Sequence, residues 1–214
     1  MTVTISRLYD DYTTASQVVR DLEAAGVPHK DISVVASNAD NWYSADGKGT
    51  TAGRKIDRDG DGHDDRAEGA AAGAGIGATL GGAAGLLAGL GLMAIPGVGP
   101  VVAAGWLVAT AAGAAAGGTA GSIVGALSQA GVSDDEAHVY AEGVRRGGTL
   151  VSARVPNGDR ARLEGILNRS AVNIRDRSTA YRSAGWKGFD PKATPYSSEQ
   201  VRKERELYRR NPTL

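Results

Sequence analysis

From Gly69 to Ser133 the chain runs 65 residues without a charged side chain, and that stretch limits the folds open to it more than any other. Glycine recurs every fourth residue at Gly69, Gly73, Gly77, Gly81, Gly85 and Gly89. It does so again at Gly105, Gly113, Gly117, Gly121 and Gly125, with Ala109 in the remaining place. On a helix that spacing leaves a flat groove along one face, where a second backbone can approach closely enough for dispersion and Cα–H···O contacts to accumulate. Between the two repeats Pro96, Gly97, Gly99 and Pro100 interrupt helix, because proline lacks an N–H and disfavours helix in the residue before it. The pattern predicts two glycine-zipper helices over 69–130, folded into a hairpin that turns at Pro96–Pro100.

Such a hairpin needs a partner. Each glycine costs a helix roughly 0.8–1 kcal/mol relative to alanine, so the segment is not expected to be helical alone in water. Two environments would offset that cost. A helix of about 26 residues spans roughly 39 Å, enough for a ~30 Å hydrocarbon core, and Arg54, Lys55, Arg58, Arg66, Arg145 and Arg146 would flank an inserted hairpin on one side. Alternatively the hairpins bury one another in a homo-oligomer.

Outside this stretch the sequence reads as an α+β domain. Thr2–Leu8 alternates as a strand, Tyr12–Ala25 carries Ala15, Val18, Val19 and Leu22 at helical spacing, and Ile32–Ala36 is a second strand. After the hairpin, Ser133 and Glu136 form a capping box that opens a helix running to Arg146. Thr149–Val155 then reads as a strand, Gly158–Ser170 as a helix and Val172–Ile174 as a fourth strand. Two β-α-β halves predict a ferredoxin-like split βαβ sandwich with the Gly/Ala-rich helical hairpin inserted between its second and third strands. The organisation is then 1–37 for the first half, 38–68 for a polar loop, 69–130 for the hairpin and 131–176 for the second half. A tail over 177–214 follows, in which Tyr181, Trp186, Phe189, Tyr196 and Tyr208 are interleaved with basic residues. Its plainest reading is a strap whose aromatics dock on the domain, ending in a helix capped by Ser197 and Gln200.

The sharpest local motif lies in the polar loop. Asp57, Asp59, Asp61, Gly62, Asp65 and Glu68 meet the twelve-residue EF-hand pattern at positions 1, 3, 5, 6, 9 and 12, with His63 supplying the carbonyl of position 7. Ca²⁺ takes six to eight oxygens, and these residues provide them. Position 8, usually apolar, is Asp64, and residues 49–56 make a poor leading helix, so the loop resembles single calcium loops more than a paired sensor.

Other chemistry is sparse. The chain has no cysteine, which excludes disulfides, thiolate catalysis and cysteine metal sites. Its formal net charge is +0, which argues against bulk nucleic-acid affinity. No GxSxG, Walker loop or HExxH occurs, and His29, His63 and His138 have no nucleophile beside them in sequence. Residues 73–78 imitate a dinucleotide fingerprint, but no strand precedes them, and they belong to the zipper. No enzyme and no small-molecule substrate is expected. Met1–Arg7 lacks a basic then apolar leader, so the expectation is a cytoplasmic protein without a signal peptide, either free or associated with the inner membrane.

Ile32–Ala36 after a β-α unit, Ile95-Pro-Gly-Val-Gly-Pro100 within the glycine-rich stretch, and Ala141-Glu-Gly-Val-Arg-Arg-Gly-Gly-Thr-Leu-Val151 together resemble bacterial general stress proteins of the 17M-like kind, or heat-induced stress protein domains. The resemblance spans about Thr2 to Ile174. It implies a role in stress response and carries no binding residue onto this chain. The combined expectation is a non-enzymatic stress-response protein that self-assembles through the zipper. The alternative is a soluble calcium-binding homo-oligomer with the hairpin buried inside it. If the acidic loop holds calcium, titration calorimetry of the full chain will show a saturable heat that Asp59→Ala abolishes; equal heats from both proteins would exclude the loop.

Overall fold

The computed structural model describes residues 1–43, 90–108, 110 and 123–211. Strand β1 (Thr2–Tyr9) alternates as its sequence requires, with Ile5 and Tyr9 inward on one face and Ser6 and Leu8 on the other. Asp11 then caps helix α1 (Tyr12–Ala24), its side chain accepting from the Thr14 N–H at 2.8 Å. Val18, Val19 and Leu22 bury against the sheet, and strand β2 (Ile32–Ser37) follows, buried along its whole length.

The stretch 91–105 is not helical. Strands β3 (Gly91–Ile95) and β4 (Gly99–Gly105) form a β-hairpin that joins the same sheet, so the expected helical turn at Pro96–Pro100 is corrected to a strand connection. Ile95 accepts from the Val98 N–H at 3.0 Å, and Gly97 has φ +74, the arrangement of a type II turn with proline first and glycine second. Val98, Val101 and Val102 suit a buried strand, and a short apolar run cannot be assigned by periodicity alone.

Helices α2 (Ile123–Gln129) and α3 (Asp134–Arg145) come next, α3 capped by Ser133 as the sequence indicates. Strand β5 (Thr149–Pro156) inserts between β1 and β2, antiparallel to both, and helix α4 (Arg160–Leu167) follows. The five-stranded antiparallel sheet has the order β1-β5-β2-β4-β3. One face is covered by α1 and α4 over Ile5, Tyr9, Val34, Val151 and Leu163, and the other by α2 and α3 over Leu8, Val35, Val101, Leu127 and Tyr140.

The expected fourth strand at Val172–Ile174 is also corrected. The Val172 N–H donates to the Leu8 carbonyl at 2.8 Å, but Asn173 then turns the chain into helix α5 (Ile174–Ser183) by accepting from the Arg175 N–H at 3.1 Å. A side-chain cap competes with the ladder after a single rung. The tail docks as a strap: Tyr181, Phe189 and Tyr208 are buried, and helix α6 (Ser198–Arg210) starts with the Ser197–Gln200 capping box. Among the described residues, no helix is long and apolar enough to cross a membrane.

Two glycines fix this arrangement. Gly105 has φ +95, and a Cβ there would overlap the Ile32 carbonyl oxygen and lie 2.7 Å from the Ser33 Cα. A Cβ on Gly97 would lie 2.6 Å from the Asp190 oxygen and 2.7 Å from the Pro191 Cα, both in the strap. Both positions oppose backbone, which cannot rotate aside. Gly105→Ala and Gly97→Ala should each lower unfolding free energy by about 2 kcal/mol or more in urea titrations, against under ~1 kcal/mol for Gly158→Ala, where the added methyl meets nothing.

Candidate functional site

The proposed calcium ligands Asp57, Asp59, Asp61, His63, Asp65 and Glu68 lie outside the described residues, as do Gly69, Gly73, Gly77, Gly81, Gly85, Gly89, Ala109, Gly113, Gly117 and Gly121. Two zipper positions are described. Gly125 lies in α2, whereas Gly105 closes β4 against β2 and so is not a groove position on a helix. Pro96, Gly97, Gly99 and Pro100 form the turn of the β-hairpin beneath the strap. Ile95 and Val98 are buried there, so these residues are no exposed tip of an inserted hairpin.

What the described residues do bring together is the root of the glycine-rich insertion. Asn38 and Tyr43 clasp each other: Asn38 Nδ2 donates to the Tyr43 carbonyl and Asn38 Oδ1 accepts from the Tyr43 N–H, each at 3.0 Å. Trp42 lays its ring 4.6 Å from that of Tyr12 and donates Nε1–H to the Ser37 carbonyl at 2.7 Å. The Tyr43 hydroxyl donates to the Leu90 carbonyl at 3.2 Å, which joins the two ends of the segment between them. Asp40 in the same turn pairs with Arg205 of α6, whose Nε also donates to the Gly147 carbonyl at 2.9 Å. The C-terminal helix therefore holds the root shut.

The strap itself is held by ion pairs built around two buried charges, Glu142 and Arg177. Glu142 on α3 is fully buried and receives Arg146 at 2.7 Å and Arg145 at 3.3 Å. Arg146 also reaches Glu204 on α6 at 3.3 Å and lies 4.3 Å from the Tyr181 ring centroid. Arg177, 2% exposed, pairs with Asp10 at 2.8 Å and stacks 3.6 Å over Tyr208, whose hydroxyl donates to Glu204. Burial alone would push the Arg146 guanidinium down, but its hydrogen bonds and the charges of Glu142 and Glu204 hold it above its ordinary value. His138 Nδ1 accepts from the Phe189 N–H at 3.1 Å, and Arg145 donates to the Thr194 carbonyl at 2.9 Å, so both pin the segment that covers Gly97.

Beside α3, an open cleft of about 460 Å³ runs along the outer edge of β1, lined by Arg7, Glu136, Tyr140, Asn168, Asn173 and Arg175 among others. Arg7, Tyr140, Asn168, Asn173 and Glu136 of its lining are engaged with the fold. Arg7 donates to Asn168 at 2.6 Å, to Glu164 at 2.6 Å and to the Ser6 carbonyl at 2.8 Å, and the Tyr140 hydroxyl donates to the same carbonyl at 2.8 Å. Burial pushes the Tyr140 phenol up to about 12, which keeps it a neutral donor. These groups cap the sheet edge.

Sequence reasoning missed the pairs that close the root. The Glu142–Arg146 pair at i, i+4 was open to reading on a helix already assigned, but Asp40–Arg205 and Asp10–Arg177 join residues with no local signal between them. Comparison with family models, with curated proteins and with solved structures gives no match for this chain.

Burial raises the phenols of Tyr12, Tyr140 and Tyr181 to about 12, and those of Tyr9 and Tyr208 further still. The folded state thus binds these protons more tightly than the unfolded chain, whose tyrosines ionise near 10.0. Their contribution to stability is full below about pH 10 and is lost as pH rises toward 12. Alkaline titration at 295 nm should show these tyrosines ionising together with loss of the circular dichroism signal. Gradual ionisation near pH 10 with the fold intact would contradict the burial assignment.

Proposed function

We propose that this chain is a non-catalytic, self-associating stress-response protein whose glycine-rich segments meet those of further copies. The single observation that carries the reading is the position of the β3–β4 hairpin. Gly91 pairs with Ala103, so the chain enters β3 and leaves β4 at the same open end of the hairpin and in opposite directions. The chain that precedes Gly91 and the chain that follows Gly105 therefore meet the domain at neighbouring points, and the part of the sequence between the two glycine repeats is a β-hairpin and not a helical turn. Four-residue glycine spacing favours close backbone packing on helices, and anchoring both repeats at one end of the hairpin would bring such surfaces within reach of one another and of further copies.

In this reading β1, α1, β2, β5 and α4 form the ferredoxin-like part, with β5 inside the β1-α1-β2 crossover, and the β-hairpin extends its sheet. The domain is then a rigid base for the repeats. The acidic loop Asp57–Glu68 stands directly before Gly69, where bound calcium would fix the start of the first repeat. The membrane enters as a competing partner for the same uncharged surface.

Gly81→Leu and Gly117→Leu fill one groove position in each repeat. By light scattering after detergent-free lysis, wild type should run as a particle larger than the 21.9 kDa chain, and the double variant should fall toward the single-chain mass. An unchanged particle in the variant would end the zipper reading. Recovery of wild type only in the membrane pellet, released by detergent, would assign the repeats to lipid instead.

A further inference from the structure

The two edges of the sheet are treated differently. On β1, Arg7, the Tyr140 hydroxyl and the Val172 N–H occupy the outward carbonyls of Ser6 and Leu8, the kind of guarding that keeps an edge from pairing with another chain. On β3 the residues 91, 93 and 95 face β4, so Leu92 and Ala94 turn their N–H and C=O groups outward. None of the described residues pairs with them. Gly91, Leu92 and Ala94 are exposed, Leu92 at 48%, and the strand Gly-Leu-Met-Ala-Ile carries no charge and no proline.

We propose that β3 pairs with β3 of a second copy, antiparallel, about a two-fold axis at Met93. In that register Leu92 lies opposite Ala94 of the second copy and Ala94 opposite its Leu92, and the two pairs exchange about four backbone hydrogen bonds. The next outward carbonyl in one direction, that of Leu90, is occupied by the Tyr43 hydroxyl. In the other direction Pro96 has no N–H to offer. The ladder is therefore stopped at both ends in this register, and a slip by two residues would lose half of it.

A second copy is the occupant that the strand's own chemistry fits. It brings an equally uncharged segment, so no like charges face one another, and Leu92 packs beside Ala94 across the axis, shielding a side chain now in water. A charged peptide would find no counter-charge on the strand. The choice of a second copy rests on the self-association proposed above, but the surface is separate from the glycine repeats. Two copies joined here would share one continuous ten-stranded sheet, with a pair of repeats leaving from each side of the axis.

Two substitutions on the full chain test this. Ala94→Pro removes an N–H that points away from β4, so the intramolecular ladder is kept. Leu92→Lys places like charges across the axis at an exposed position and leaves the backbone untouched. Sedimentation velocity across a concentration series should show self-association weakened roughly tenfold or more by each, Ala94→Pro by losing hydrogen bonds worth about 1 kcal/mol apiece and Leu92→Lys by like-charge repulsion, with the far-ultraviolet circular dichroism of both variants matching wild type. Hydrogen exchange should show Leu92 and Ala94 amide protection that grows with protein concentration.

If both variants associate like wild type while Gly81→Leu with Gly117→Leu dissociates, the edge pairing is wrong and the glycine reading stands. If the edge variants dissociate and the glycine variant does not, the pairing stands and the glycine reading fails. A monomeric wild type, or Leu92 and Ala94 protection independent of concentration, overturns the pairing, because the edge is then bare or covered within one chain.

Discussion

Strand β4 can lie along β2 only because Gly105 has no side chain. At that rung, where Ser33 faces Gly105, any Cβ would run into the Ile32 carbonyl and the Ser33 backbone. The pairing that follows, from Ser33 with Gly105 to Ser37 with Val101, carries β3 into the sheet behind it. It also draws the turn at Gly97 beneath Phe189, Asp190 and Pro191 of the strap. A fold with a helix over 91–105 would leave β2 without its second neighbour and the strap without a floor.

The strap returns the constraint. Its buried aromatics Tyr181, Phe189 and Tyr208 are backed by ion pairs to the rest of the domain: Glu204 with Arg146, which the buried Glu142 also holds, buried Arg177 with Asp10, and the half-buried Arg205 with Asp40. Removing the partners of the buried Glu142 or Arg177 would strand that charge in a low-dielectric site, a loss of about 3–5 kcal/mol in comparable cases. The pairs therefore tie the two chain ends and the root of the glycine-rich insertion into one unit. Asp40 and Tyr43 fasten one side of that root, and the Leu90 carbonyl meets Tyr43 from the other.

Much of the domain was legible in the residues. Alternation gave β1 and β5, helical spacing with Asp11, Ser133 and Ser197 at the caps gave α1, α3 and α6, and the aromatic spacing of the tail pointed to a docked strap. The expected helical hairpin fails because a short apolar run cannot be told from a buried helix segment by periodicity alone, and here the sheet pairing of Val101 and Val102 overrides the helix preference of alanine. One signal was available: the four-residue glycine spacing lapses between Gly89 and Gly105, where Met93 and Val101 stand in its place. The fourth strand failed for another reason. Val172, Asn173 and Ile174 are good strand residues by composition, but the Asn173 side chain offers the next backbone N–H groups a helix cap. The long-range ion pairs had no local pattern to betray them.

Residues 91–105 form two strands of the sheet joined by a turn, and cross-strand proton contacts test that placement most directly. In the non-hydrogen-bonded pairs Val35–Ala103 and Leu92–Val102, α-protons of opposite strands come close together, so nuclear Overhauser spectra should contain both Hα–Hα cross-peaks. Sequential contacts from the α-proton of Leu92 to the amide of Ile95, with no contact from Val35 to Ala103, would mean that the segment is helical. They would contradict the root, the edge and the strap together.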